Sequence, residues 1–183
     1  TELFSGVAAV SGVLTADLPV TSITCDSRKA EKDGVFVCIN GTAVDGHRFA
    51  AAAVEAGAAA VVVERDLGLP RQIQVADTRL AWAQLSANWF GHPADKLKLI
   101  GVTGTNGKTT TVCLLKSLLE KAGHKVGLIG TIQNMIGDRA LPAARTTPDT
   151  YELQSLFALM VAEGCDCCVM EVSSHALAQE RVA

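Results

Sequence analysis

A glycine-rich segment that ends in a lysine and three threonines carries the clearest chemistry in this chain: Gly101-Val-Thr-Gly-Thr-Asn-Gly-Lys-Thr-Thr-Thr111. It follows the apolar run 97–102 and precedes a helical pattern, which gives the order strand, glycine loop, helix. Backbone N–H groups of such a loop and of a helix N-terminus can face an anionic phosphate. Lys108 would add a positive charge at the outer phosphates, and Thr109 would offer its hydroxyl to a magnesium ion.

This loop departs from the common P-loop pattern at one position. The pattern G-x-x-x-x-G-K-[ST] requires a glycine five residues before Gly107, where this chain has Val102, and the loop's first glycine is Gly104. The alternative is a glycine-rich turn that binds nothing. Because Lys-Thr-Thr opens the helix directly after the glycines, the segment favours a variant phosphate-binding loop.

A second candidate segment is Met170-Glu-Val-Ser-Ser-His175. Glu171 lies in an otherwise apolar strand, where an unpaired charge would be costly to bury. Ligands of open parallel sheets gather at the carboxyl ends of the strands, so Glu171 can share a magnesium ion with Thr109. The alternative is a solvated or salt-bridged carboxylate at the strand edge. A hydrolytic Ser–His pair is disfavoured because the chain has no G-x-S-x-G elbow there.

Composition excludes several classes of protein. A hydrophobic content of 49% indicates a globular chain, and a net charge of −3 gives no electrostatic footprint for nucleic acid. No apolar run has membrane-spanning length, and the first residues do not resemble a secretory signal. The six cysteines are predicted to be reduced and buried in a cytosolic protein, because Cys165-Asp-Cys-Cys168 lacks the paired C-x-x-C spacing of a zinc site.

Strands alternate with helices along the whole chain, which predicts an α/β fold with mainly parallel sheets. The pattern predicts a small N-terminal α/β domain over residues 1–90, a linker over 91–96 and a P-loop domain over 97–183. The second domain shows only three strand patterns, and 133–147 reads as irregular, so we expect this domain to be incomplete. Thr147-Pro-Asp149 is typical of a helix start, with Thr147 as N-cap.

These segments together resemble the Mur ligases, which build peptidoglycan precursors, over essentially all 183 residues. Thr103–Thr111 resembles the ATP loop of that family, including the missing first glycine. The segments 146–149 and 170–177 resemble more narrowly the members that add the third amino acid of the stem peptide. The segments 26–29, 34–37 and 44–47 resemble the family's N-terminal UDP-binding domain, although from the residues alone Asp-Ser and Asp-Gly are ordinary turn formers.

The resemblance implies roles for individual residues. Lys108 would be catalytic, and the nucleotide would be held by Gly104, Thr105, Asn106, Gly107, Lys108, Thr109 and Thr110. Thr109 and Glu171 would bind Mg²⁺. The UDP-sugar-peptide substrate would contact Cys25, Ser27, Thr42, Ala43, Val44, Arg145, Thr146, Thr147, Ser173, Gln179 and Arg181. Arg145 stands where some relatives have asparagine, and Thr42-Ala43-Val44 is not the tripeptide found in every relative.

The implied function is an ATP- and Mg²⁺-dependent amide ligase of the cytoplasm. It would join diaminopimelate, or less commonly lysine, to UDP-N-acetylmuramoyl-L-alanyl-D-glutamate through an acyl phosphate. We expect a monomer with no nucleic-acid or membrane partner, and we expect the 183-residue chain to be inactive by itself because the amino-acid site lies outside it. Two alternatives stay open: another P-loop kinase or synthetase acting on a small metabolite, or a stand-alone nucleotide-binding module.

Overall fold

The structure, a computed structural model, describes residues 2–12, 19–41 and 44–183. Contacts between residues divide the chain into two compact units, Thr1–Trp89 and Phe90–Ala183. Each unit contains one five-stranded sheet with helices packed on it, which confirms the predicted α/β class. None of the described helices is long and apolar enough to cross a membrane.

The first unit contains five short strands and two α-helices. In chain order these are β1 (Ala9–Ser11), β2 (Ile23–Thr24), β3 (Val35–Val37), α1 (Ala50–Glu55), β4 (Ala60–Val63), β5 (Gln72–Val75) and α2 (Thr78–Trp89). The sheet order is β1-β5-β4-β3-β2, and only β1 runs antiparallel to its neighbour. Every residue of β4 is buried, as expected of an unbroken apolar strand between helices in a parallel sheet.

Local sequence signals set the helix boundaries in this unit. Asp77 precedes α2 and caps it, because its Oδ1 accepts hydrogen bonds from Arg79 N (2.7 Å) and Leu80 N (3.1 Å). Gly57 follows the C-cap residue of α1 with a φ of 90°, a conformation that is common for glycine just after a helix. The 3₁₀ turn Gly46–Phe49 leads directly into α1.

The second unit contains five strands rather than the three that were expected. Its elements are β6 (Lys98–Val102), α3 (Lys108–Lys121), β7 (Val126–Ile129), β8 (Gln133–Ile136), β9 (Arg139–Pro142), α4 (Thr150–Ala162), β10 (Cys167–Glu171) and α5 (Ser174–Ala178). In the order β6-β10-β7-β8-β9, the three predicted strands form the parallel part and β8 and β9 pair antiparallel. The sheet is therefore mixed.

The prediction that 133–147 is irregular was wrong for 133–142, where it overlooked a hairpin signal, and is confirmed for 143–147, which contain no helix or strand. Two residues, Gly137 and Asp138, separate β8 from β9, and Gly137 has a φ of 56°. A Gly-Asp pair between two short strands is typical of a tight β-hairpin, since its backbone twist needs a positive φ. The hairpin extends the sheet on the β7 side.

Apolar side chains cover both faces of the second sheet. Along β10, Cys167 and Val169 point to the face covered by α3, and Cys168 and Met170 point to the face covered by α4. Phe90 packs its ring edge-on to Tyr151 of α4, with the ring centres 5.1 Å apart. The predicted linker contains the 3₁₀ turn Pro93–Lys96, in which Pro93 is buried. The domain boundaries proposed from the sequence stay a prediction.

Candidate active site

The predicted phosphate loop lies between the edge strand β6 and helix α3. Gly104 has a φ of 138° and Gly107 a φ of 80°, backbone conformations that residues other than glycine rarely adopt. Gly107 is the N-cap of α3 and offers no side chain to the first turn, so the N–H groups at the start of the helix can face an anion. The ammonium of Lys108 donates a hydrogen bond to the carbonyl of Gly104 at 2.7 Å, which holds it over the loop.

Strand alternation places Glu171 next to this loop. Glu171 is two residues beyond Val169, so it shares the α3 face of the sheet. Its side chain is 1% exposed, and Oε1 accepts hydrogen bonds from Thr109 Oγ1 (3.0 Å) and from Thr131 N (2.9 Å). Thr131 Oγ1 lies 3.2 Å from Oε2. The buried carboxylate is therefore well supplied with donors, which offsets its loss of water.

The pair of Thr109 and Glu171 fits a magnesium site. Magnesium prefers oxygen ligands at about 2.1 Å in octahedral geometry, which separates neighbouring ligand oxygens by about 3 Å. Thr109 Oγ1 and Glu171 Oε1 lie 3.0 Å apart. Thr109 lies in the first turn of α3 and Glu171 at the carboxyl end of β10, both beside the loop that would hold the phosphates. The donor set and its spacing support the sequence-predicted metal ligands.

Thr146, Thr147 and Ser173 lie together at the end of β10. Thr147 is 1% exposed, and its hydroxyl donates to the backbone carbonyl of Glu171 at 2.8 Å. Ser173 N donates to the same hydroxyl at 3.0 Å. The prediction that Thr147 caps α4 was wrong: Asp149 is the N-cap and accepts from Glu152 N at 3.1 Å. Thr147 instead joins the 143–149 segment to β10.

Arg181 and Gln179 support the same segment from the C-terminal side. Arg181 Nη1 donates to the carbonyl of Thr147 at 2.9 Å, and its Nη2 donates to Gln179 Oε1 at 2.6 Å. The structure thus brings Arg181 to Thr147 and Gln179 to Arg181, and their contact with the substrate stays a prediction. Arg145 is exposed and lies 4.0 Å from the carboxylate of Asp149, too far for a strong ion pair at a solvated surface.

The predicted UDP contacts lie in the first unit. Cys25 is exposed after β2, and Ser27 opens a 3₁₀ turn whose N-cap is Asp26. Arg28 binds both oxygens of Asp26, at 2.9 and 2.8 Å, and this pairing lowers the pKa of Asp26 to about 2. Val44 is exposed. Thr42 and Ala43 lie outside the described residues.

A closed polar network fixes the chain on the far side of Val44. His47, whose side chain is fully buried, donates from Nδ1 to Asp45 Oδ1 at 2.6 Å, because its Nε2 accepts from Glu64 N at 2.9 Å. Arg65 Nη2 lies 2.6 Å from the other oxygen of Asp45. The guanidinium of Arg65 and the hydrogen bonds from His47 hold the pKa of Asp45 well below its usual range. We call this set of four residues the closed network: Asp45, His47, Glu64 and Arg65.

A cluster of His124, Asp166 and Cys167 lies at the amino end of β10, with its ligand atoms within 4.8 Å of one another. His124 Nδ1 and Asp166 Oδ2 are 2.6 Å apart, and Lys125 N donates to Asp166 Oδ1 at 3.0 Å. These contacts satisfy the carboxylate within the protein, and the His124 bond lowers the pKa of Asp166. Burial raises the pKa of the Cys167 thiol, which disfavours the thiolate that a metal needs. The cluster ties β7 to β10.

Six cysteines were predicted to be reduced and buried. None forms a disulfide in the described part of the chain, and Cys38, Cys165, Cys167 and Cys168 are buried. The expectation of burial was wrong for Cys25 and Cys113, which are exposed. Cys113 lies on the outer face of α3, where helical periodicity places it away from the sheet.

Sequence reasoning missed two residues of the site, Gly130 and Thr131. A Cβ on Gly130 would lie 2.6 Å from Glu171 Oε1, so glycine leaves the space that the carboxylate occupies. Thr131 binds Glu171 through both its N–H and its hydroxyl. A signal existed, since both residues directly follow β7, and polar residues at the carboxyl ends of parallel strands are candidate ligands.

Comparison with known proteins agrees with this geometry. The family model described as Mur ligase middle domain matches residues 102–183, and the model described as Mur ligase family, catalytic domain matches residues 19–89. The UDP-N-acetylmuramoyl-L-alanyl-D-glutamate–2,6-diaminopimelate ligase of Clostridium perfringens is 52% identical over 166 residues, which cover 89% of this chain and 34% of that protein. The enzyme of that name from Listeria monocytogenes is 43% identical over 99% of this chain and 37% of its own length.

Solved structures show the same relationship. A structure of a UDP-N-acetylmuramoyl-L-alanyl-D-glutamate–2,6-diaminopimelate ligase superposes with a TM-score of 0.71 at 29% identity, covering 90% of this chain and 34% of that one. MurF ligase from Thermotoga maritima, in complex with ADP, gives a TM-score of 0.52 at 25% identity over 87% of this chain and 33% of its own. The chain spans about a third of the length of the relatives it matches. With both family models matching and the loop, Thr109 and Glu171 assembled as described, the chain belongs to the Mur ligase family.

Proposed function

We propose that the full-length protein is an ATP-dependent ligase of peptidoglycan synthesis that adds 2,6-diaminopimelate to UDP-N-acetylmuramoyl-L-alanyl-D-glutamate. The observation that carries the proposal is the contact of Thr109 with the buried Glu171 beside the phosphate loop, with Oγ1 and Oε1 3.0 Å apart. The names of the relatives from Clostridium and Listeria support the substrates and favour diaminopimelate over lysine.

The chemistry follows from what these residues can hold. Backbone N–H groups at the start of α3 and the ammonium of Lys108 would bind the phosphates of ATP, and Thr109 and Glu171 would hold Mg²⁺. The bound metal ion supplies charge neutralisation at the phosphates. The substrate carboxylate would attack the γ-phosphorus, forming an acyl phosphate and releasing ADP. The amine of the incoming amino acid would then attack the acyl carbon, and inorganic phosphate would leave as the amide forms. Lys108 would stabilise the charge that moves onto the leaving oxygen.

Each unit would contribute its own set of ligand contacts. The nucleotide loop would comprise Gly104, Thr105, Asn106, Gly107, Lys108, Thr109 and Thr110. The uridine diphosphate would bind at Cys25, Ser27, Thr42, Ala43 and Val44, and the sugar-peptide portion at Arg145, Thr146, Thr147, Ser173, Gln179 and Arg181. Thr147 and Arg181 already bond to neighbouring backbone, so their role would include shaping the segment that meets the substrate.

We also propose that the protein is a cytoplasmic monomer without a nucleic-acid or membrane partner. The cysteines fit a reducing compartment, because none of them forms a disulfide in the described part of the chain. Size-exclusion chromatography with light scattering would test the monomer.

Two other functions would use the same loop: a P-loop kinase or synthetase acting on a small metabolite, and a nucleotide-binding module without catalysis. The first unit argues against both, since its match to a Mur ligase model covers residues 19–89. Binding of the UDP-sugar dipeptide distinguishes the proposal from both alternatives. Nucleotide binding without any affinity for that substrate would favour them.

The direct test replaces Glu171 by Gln in the full-length protein. We expect phosphate release that depends on the UDP-dipeptide and diaminopimelate to fall about a hundredfold or more, because the neutral amide is a weaker metal ligand and meets Thr131 N–H with a mismatched donor. Glu163→Gln is the matched control, since Glu163 is a partly exposed carboxylate whose pairing with Arg139 spans 3.6 Å at the surface. Wild-type phosphate release by E171Q, or release with no need for the UDP-dipeptide, would contradict the proposal.

A further inference from the structure

Thr131 is not among the site residues predicted from the sequence. It directly follows β7, and its backbone N–H donates to Glu171 Oε1 at 2.9 Å. Its hydroxyl oxygen lies 3.2 Å from Glu171 Oε2 and 3.0 Å from the hydroxyl oxygen of Thr146. One side chain thus touches both the proposed metal ligand and a proposed substrate contact.

The direction of these hydrogen bonds follows from the atoms involved. The oxygens of a carboxylate only accept, whereas a threonine hydroxyl has one hydrogen to donate and lone pairs that accept. The hydroxyl hydrogen of Thr131 is therefore best used on Glu171, and the hydroxyl of Thr146 then donates to Thr131. The resulting chain of donors runs from Thr146 through Thr131 to Glu171. We call this set of four residues the open network: Thr109, Thr131, Thr146 and Glu171.

Magnesium binding would increase the part played by Thr131. When Thr109 and Glu171 both turn their oxygens to one metal ion, they give up the hydrogen bond between them. Thr131 then supplies the remaining hydrogen bonds on Glu171 that the structure shows, one from its N–H and one from its hydroxyl. Hydrogen-bonded neighbours of a ligand orient it and tune its affinity for the metal.

We propose that Thr131 is a positioning residue that orients Glu171 for magnesium and couples metal binding to the sugar-peptide contact at Thr146. This inference rests on the proposed function, since it assumes that Glu171 binds the metal and Thr146 the substrate. A substrate group that hydrogen-bonds to Thr146 changes the donor that Thr131 receives. Through Thr131, this change reaches the carboxylate, so the metal and the substrate each alter the affinity for the other.

The experiment measures binding rather than turnover, in the full-length protein. Isothermal titration calorimetry gives the ADP affinity with Mg²⁺ and with EDTA, and the UDP-dipeptide affinity with and without Mg²⁺–ADP. Thr131→Val removes the hydroxyl and keeps the shape and the backbone N–H. We expect it to reduce the Mg²⁺-dependent gain in ADP affinity about tenfold, to leave the affinity in EDTA unchanged, and to bring the coupling factor between the two ligands towards one.

Two further variants separate positioning from general damage. Thr131→Ser keeps the hydroxyl and should restore both the magnesium effect and the coupling. Thr21→Val is the matched control. Thr21 is exposed, as Thr131 is, but its hydroxyl donates to the backbone carbonyl of Lys32 at 3.2 Å, far along the chain from the nucleotide loop. It should behave as wild type.

The outcomes keep this inference distinct from the proposed function. If the wild-type protein binds Mg²⁺–ADP and the UDP-dipeptide while T131V keeps wild-type magnesium dependence and coupling, the role of Thr131 is wrong and the proposed function stands. If T131S fails to restore what T131V loses, the effect is not due to the hydroxyl, and the role is also wrong. If the wild-type protein binds neither ligand, the proposed function itself fails.

Discussion

The closed network of the first unit and the open network of the second unit each surround a buried polar side chain, but they leave different atoms available. In the closed network, both ring nitrogens of His47 are used, one by Asp45 and one by Glu64 N. In the open network, the groups that hold Glu171 include the hydroxyls of Thr109 and Thr131, which can re-form their bonds around a ligand. A network whose partners are fixed backbone and paired charges stabilises the fold, whereas one built on rotatable hydroxyls can exchange a partner for a ligand.

The largest effect is expected from a substitution that removes His47, the centre of the closed network. His47→Ala should lower the free energy of unfolding by about 2–4 kcal/mol, because it leaves Glu64 N–H without its acceptor and opens a cavity beside a fully buried ring. Urea denaturation measures this loss. The magnesium-dependent affinity for ADP should stay at the wild-type value, since the nucleotide residues belong to the other unit. Loss of magnesium dependence in a folded H47A protein would erase the distinction between the two networks.

Two glycines of the second unit test the same difference between a binding role and a packing role. A Cβ on Gly130 would meet Glu171 Oε1 at 2.6 Å, whereas a Cβ on Gly127 would clash with Met160 Sδ in the core. Gly130→Ala should reduce the magnesium-dependent gain in ADP affinity about tenfold with little change in stability, because it displaces the carboxylate. Gly127→Ala should cost about 1–3 kcal/mol of stability through overpacking and leave the binding unchanged.

Calorimetry and thermal unfolding of both glycine variants provide the comparison, each serving as the control for the other. If G130A lowers stability as much as G127A and binds magnesium–ADP normally, Gly130 makes room for packing rather than for the carboxylate. That result would weaken the reading of Glu171 as a positioned ligand.

The smallest effect concerns the acid stability of the closed network. The pKa of Asp45 in the folded protein lies well below the ordinary value of 3.8. Stability from a depressed carboxyl pKa is present above the unfolded value and is lost as the pH falls towards the folded one. The difference in unfolding midpoint between wild type and Asp45→Asn should therefore be constant from pH 7 to about 5 and shrink below about 4. A difference that persists unchanged at pH 2.5 would show that the charge of Asp45 is not what the network uses.

Much of the site could be predicted because its signals are local. The glycines followed by Lys108-Thr109 predict a phosphate-binding loop before a helix. A single glutamate in an apolar strand indicates a buried charge that needs hydrogen-bond partners. The β8–β9 hairpin was overlooked although Gly137-Asp138 marks it, because its strands are short and weakly alternating. The role of Thr147 was misassigned because a threonine before proline is typical of a helix cap, while here a tertiary contact with the Glu171 carbonyl takes its hydroxyl.

The sequence by itself determined the α/β class, the position of the phosphate loop and the identity of the residues that could bind magnesium. Each of these depends on neighbours in the chain and on periodicity. Only the tertiary structure decided that Gly130, Thr131 and Thr146 lie near Glu171. It also decided that the two ring nitrogens of His47 bond to Asp45 and to Glu64 N. The reason is physical: hydrogen bonds between residues 40 positions apart depend on sheet order and register, and no local pattern of residue types specifies either.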